Sequence, residues 1–161
     1  MSLKDFLSAI SEKNQYGLSI KFLKLGLPIW DNFTSKSKNL EYIDTVVGMH
    51  HKVSKKIIQR AMDIATKTIN RPNSRTKKLI ELKEEFIDPI VALQALDWEI
   101  PKSAQLIFYS AYNLVESLTG RKATFNGDSI IFISINQSID AITREKIKTF
   151  EDINNLLKEN K

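Results

Sequence analysis

Apolar residues in this chain return at steps of three and four over most of its length, and little interrupts them: five Gly and four Pro are spread over 161 residues. Such spacing places side chains on one face of a helix, whereas a half-buried strand needs strict alternation. The chain therefore reads as helices joined by short connections.

The expected elements follow. Ser2, with Asp5 three residues on, is a capping-box-like start for a helix over Ser2 to Glu12 that lines up Phe6, Leu7 and Ile10. A second runs from Leu18 to Phe33, with a kink or break expected at Gly26 and Pro28. Glu41 to Ile69 reads as a third, because Ile43, Val47, His50, Val53, Ile57, Ala61, Ile64 and Thr68 keep helical steps until Asn70, Pro72 and Asn73 end them. Ser74 is placed to cap a fourth helix carrying Leu79, Leu82, Phe86 and Ile90. Within it Asp88-Pro89 signals either a restart or a kinked continuation. Pro89 to Leu96 is apolar nearly all round and is expected at the centre of the core.

Asp97 to Pro101 reads as a connection. The next helix presents Leu106 or Ile107, Ala111, Leu114 or Val115, and Leu118, with Gly120 as its left-handed end. A polar turn follows over Arg121 to Gly127. Ser129 to Ile135 is rich enough in isoleucine for a strand, but Ile131, Ile135, Ile139 and Ile142 extend the helical step too far for one. Thr149, with Asp152 three residues on, caps a last helix over Phe150 to Glu159. The expectation is an all-α, single-domain irregular bundle of about six or seven helices over 1–161.

Composition excludes several kinds of chemistry. With no cysteine the chain has no disulfide, thiolate metal site or thiol nucleophile. No apolar run approaches the ~20 residues that span a bilayer, and Asp5 and Glu12 interrupt any signal peptide, so a cytoplasmic protein is expected. His50 and His51 are adjacent and, on a helix, diverge by about 100°, so they do not chelate together. His50 is expected as a neutral core histidine. Glycines are isolated, no nucleophile elbow or metal-ligand spacing occurs, and Glu81, Glu84, Glu85 and Asp88 are simplest as surface ion pairs with nearby lysines. Neither enzyme activity nor a metal or cofactor is expected.

Charge is concentrated. Residues 50–80 hold nine Lys/Arg against Asp63 alone, while 81–161 hold nine against thirteen acids. Lys52, Lys55, Lys56, Arg60 and Lys67 form a stripe on the expected third helix. A solvated helix face explains such a stripe by itself; beyond that, it suits an acidic protein surface or a phosphate backbone. No aromatic interleaves it, which favours protein over nucleic acid. Trp98, beside Glu99 in the 97–101 connection, is either an exposed anchor for a partner or a lid on the core.

A glycine-poor, cysteine-free helical chain in which Asp97-Trp98-Glu99-Ile100-Pro101 leads into Phe108-Tyr109-Ser110-Ala111-Tyr112-Asn113-Leu114-Val115-Glu116 resembles the helical immunity proteins of bacterial polymorphic-toxin and contact-dependent inhibition systems. The resemblance covers roughly residues 40–145 and implies a cytoplasmic protein that binds one cognate toxin domain and occludes its active site or substrate access. The expected contact residues are Lys52, Lys55, Lys56, Arg60, Lys67, Trp98 and Glu99. The second reading is a helical nucleic-acid-binding or regulatory protein that uses the basic stretch of residues 52–78.

Overall fold

The computed structural model describes residues 2–71, 77–119, 124–125 and 127–159. Among them are seven α-helices and two short antiparallel hairpins: an all-α irregular bundle. In order these are α1 (Leu3–Ser8), α2 (Glu12–Phe33), β1 (Glu41–Ile43), β2 (His50–Lys52), α3 (Ile57–Asn70), α4 (Lys77–Ala95), α5 (Lys102–Leu118), β3 (Thr124–Phe125), β4 (Asp128–Ser129), α6 (Ile130–Arg144) and α7 (Phe150–Lys158). Ser74 and Gly120, expected as helix caps, lie outside the described residues.

Both capping boxes form. The Ser2 and Thr149 hydroxyls accept from the backbone of Asp5 and Asp152, whose carboxylates reach back to the capping residues. These hydrogen bonds hold both carboxyls below their ordinary value. Ser129 caps α6, so the isoleucine-rich stretch is helical as the spacing predicts.

Neither proline breaks its helix. α2 passes through Pro28 and α4 through Pro89 without a restart. Pro28 has no N–H to donate to Lys24 O, and both residues are exposed, on the solvent side of α2. Buried residues on either side, Phe22, Leu23, Gly26 and Trp30, keep the rest of the helix in register.

The centre is α2, α5 and α6 packed on one another. Ser19, Ser110, Ser134 and Ser138, all buried, stand where the three helices meet. Ser110 and Ser134 each donate to the other's carbonyl at 2.8 Å, and their hydroxyls lie 2.7 Å from Ser138 Oγ and 2.9 Å from Ser19 Oγ respectively. Small side chains let the backbones approach, and mutual hydrogen bonding removes the cost of burying hydroxyls. Gly26 belongs to the same device, since a Cβ there would fall 2.2 Å from Ile107 Cδ1.

An aromatic cluster closes one end of this centre. Trp30, Phe33, Trp98 and Phe108 lie with ring centroids 5.5–6.5 Å apart. The Trp30 indole donates to Lys55 O at 2.9 Å and that of Trp98 to Asn39 O at 3.0 Å.

Two expectations fail here. Glu41 to Ile69 is not one helix: its first half is the β1–β2 hairpin, with Glu41 opposite Lys52 and Ile43 opposite His50. Asp44 Oδ1 accepts from Val46 N at 2.8 Å and Val47 N at 3.1 Å, Gly48 adopts φ +69°, and Gly48 N donates to Asp44 O at 2.8 Å. This turn chemistry, together with the β-branched run Ile43, Thr45, Val46, Val47, outweighs the helical step. His50 is consequently an exposed strand residue rather than a core histidine, and His51 stacks on Tyr42 at 5.0 Å. Nor is Pro89 to Leu96 central, because Pro89, Ala92 and Leu93 are buried and Ile90 partly so, while Val91 and Leu96 are exposed.

Candidate binding surface

The expected basic stripe is divided by the hairpin. Lys52 ends β2, 3.8 Å from Glu41, and Lys55 and Lys56 lie in the turn that leads into α3. Lys56 precedes α3 without a side-chain cap, and the first turn has no acid, so cations stand at the positive end of a helix. Arg60 forks onto Glu85 of α4, which raises its guanidinium further above its already high range. Lys67 is two turns further on, about 10 Å along the axis. The structure thus joins Lys52, Lys55 and Lys56, commits Arg60 to an internal ion pair, and sets Lys67 apart.

Trp98 is a lid on the core, not an exposed anchor: it is 3% exposed and contacts Trp30, Phe33, Tyr42 and Phe108. Glu99 beside it is exposed.

Of the four α4 carboxylates expected to pair with nearby lysines, one does so among the described residues, and a second is held instead by an arginine of α3. Glu81 is 3.6 Å from Lys77, and Glu85 is held by Arg60. A third pair is less exposed: Lys83 Nζ reaches a Glu116 oxygen on α5 at 2.6 Å, with the two side chains 16% and 8% exposed. Among the described residues no group of three or more His, Asp or Glu is placed to hold a metal ion, and no helix is long and apolar enough to cross a membrane.

A surface that the sequence did not single out lies where the first hairpin meets α4. In the hairpin Ile43, Val46, Val47 and Met49 are exposed, Val46 at 89%. On α4 Ile80, Ile87 and Val91 repeat at seven and four residues along the solvent face, and Leu96 follows at 72%. Leu96 also adopts φ +63°, a left-handed conformation that favours glycine. A position that wants glycine and faces water here carries leucine, so two local preferences are overridden together. Thr45 ties the loop to the end of α4 by donating its hydroxyl to Asp97 at 2.7 Å and its N–H at 3.3 Å.

Between the two elements lies a cavity of about 140 Å³, with Val47, Met49, Val91 and Ala92 as apolar walls and Asp44, Asp88 and Asp97 as carboxylates. Tyr42 lines it too. Its ring is covered on its faces by His51 and Trp98, and its hydroxyl is pushed up to about 12 by burial first and then by Asp88, Asp44 and Asp97.

The signal for this surface was available in part. Asp44 and Gly48 mark a turn, and α4 carries more apolar residues than one helix face can bury. No letter separates Val91, which faces out, from Leu93, which faces in. Compared with known proteins, the chain matches no family model, no curated protein and no solved structure.

Proposed function

We propose that this chain is a protein-binding module, and that its partner is a bacterial toxin domain which it neutralises by occlusion, as an immunity protein does. The observation that carries the binding reading is the exposed apolar surface of the first hairpin and α4. Apolar side chains grouped on one face and rimmed by acids mark an interaction site more often than a solvent face. A partner covering about 800 Å² of it would meet apolar centre and charged rim together. The immunity role adds the resemblance of residues 40–145, and on this reading the protein acts in the cytoplasm without chemistry of its own. Of the contact residues first expected, Lys55, Lys56 and Glu99 are exposed, and Lys52 is exposed beside Glu41.

The test has two steps. Tagged chain is used to capture partners from its source lysate with and without nuclease, beside a Val47→Ser/Val91→Lys variant. The expected result is one stoichiometric protein that survives nuclease and is lost with the variant. Expressed alone, that protein should arrest growth, and the wild-type chain should rescue it. Rescue by the variant, or capture that vanishes on nuclease treatment, would overturn the reading. The latter outcome would shift function to nucleic acid at Lys52, Lys55 and Lys56, the reading favoured by cations around an uncapped helix start.

A further inference from the structure

The cavity between the first hairpin and α4 is too small for a metabolite, since small-molecule sites run to roughly 300–1,000 Å³. It suits a single side chain. Its walls specify which kind: apolar surface from Val47, Met49 and Val91 for an aliphatic stem, and three carboxylates with no Lys or Arg among the lining residues for a charged head. Asp44 spends one oxygen on the turn and Asp97 is held by Thr45, so both are fixed in place. Asp88 forms no side-chain hydrogen bond or ion pair among the described residues.

Acids alone would not make a site, but Tyr42 supplies an independent observation. The residue is 7% exposed, its ring is stacked with His51 and Trp98, and its hydroxyl has no hydrogen-bond partner among the described residues. The hydroxyl is not sealed from solvent, so it can be reached from the cavity that Tyr42 lines. Tyr42 lines the cavity together with the same three carboxylates, and an N–H donor entering it would find oxygen acceptors from both.

We propose that this cavity receives the cationic side chain of an arginine or lysine presented by the protein partner. The stem lies against Val47 and Val91, and the head donates to Asp88 and to Tyr42 Oη. Arginine, with five donors in a fixed fork, matches several acceptors better than lysine. The inference rests on the binding reading above and names the residue that would enter at its centre.

The test titrates the whole chain, labelled with nitrogen-15, with N-acetylarginine N-methylamide and in parallel with its neutral citrulline analogue. The expected result is saturable shifts confined to residues 42–51 and 88–97 with the arginine probe and none with citrulline. Asp88→Asn should weaken binding by about threefold or more, and Tyr42→Phe, which removes only the hydroxyl, by a similar factor. Equal shifts from both probes, scattered and unsaturable shifts, or unchanged affinity in Asp88→Asn would overturn the proposal. Partner capture separates this failure from that of the wider reading. If Val47→Ser/Val91→Lys abolishes capture and Asp88→Asn leaves it unchanged, the surface binds but the cavity takes no cation.

Discussion

The three-helix centre and the hairpin–α4 face break the simple apolar-in, polar-out pattern in opposite directions. Where α2, α5 and α6 meet, serines are buried, and each finds another serine or a carbonyl within 2.7–2.9 Å. On α4 and the hairpin, valine, isoleucine, leucine and methionine are left exposed among the described residues. The first departure is settled inside the molecule, because small polar groups trade volume for close backbone approach and then satisfy one another. The second is not settled inside it, and so is the one that points to a partner.

The largest effect should come where the two regions are tied together. Lys83 on α4 and Glu116 on α5 form the least exposed ion pair among the described residues. Lys83→Ala strands the Glu116 carboxylate and should cost about 3–5 kcal/mol in a urea melt. The double change Lys83→Met/Glu116→Leu, which removes both charges and keeps volume, should recover most of that loss. If the single change is as mild as the double, the tie is a surface pair and α4 is held by packing alone.

Next is the serine contact itself. Ser110→Ala leaves the Ser134 carbonyl and the Ser138 hydroxyl short of a partner, and should cost about 1–3 kcal/mol although only one oxygen is removed. Ser8→Ala, at an exposed hydroxyl bonded to Lys4 O, should cost far less in the same melt. Equal losses would mean that the buried hydroxyls are incidental to the packing.

How much of this was legible in the letters follows the same division. Ser2 with Asp5, Thr149 with Asp152, and the isoleucine steps from Ile131 to Ile142 are local signals, and the helices they predict are present. Pro28 and Pro89 are local signals too, but buried residues flanking them fix their helices from outside the local sequence. Ile43 to Val53 satisfied a helical step by coincidence, and the Asp44 to Gly48 turn decided otherwise. Exposure at Val46, Val91 and Leu96 is a tertiary property that no spacing records, and for that reason the candidate surface was missed.

A pH titration probes the face from its polar side. Tyr42 ionises near 12 rather than at its ordinary 10, chiefly because burial disfavours the phenolate and then because Asp88, Asp44 and Asp97 repel it. The folded state therefore favours neutral Tyr42, so its contribution to stability is complete below pH 10 and is lost as pH rises towards 12. A spectrophotometric titration of wild type against Tyr42→Phe should isolate this late step, and Asp88→Asn should move it to lower pH. A step unmoved by Asp88→Asn would place that carboxylate too far from the hydroxyl to share a ligand with it.

The smallest effect on stability should be found at the residues proposed to meet the partner. Val47 and Val91 are exposed, so replacing either with serine removes little buried surface and should change unfolding free energy by no more than about 0.5 kcal/mol. Leu93, two residues from Val91 on the same helix, is 4% exposed, and Leu93→Ala should cost about 2–5 kcal/mol. The contrast between neighbours tests the comparison at its sharpest point. Should Val91→Ser destabilise the chain as Leu93→Ala does, the outer stripe of α4 is already packed in solution and is not a vacant surface. Should it leave stability intact and abolish partner capture, the apolar excess on this face is explained by what it binds.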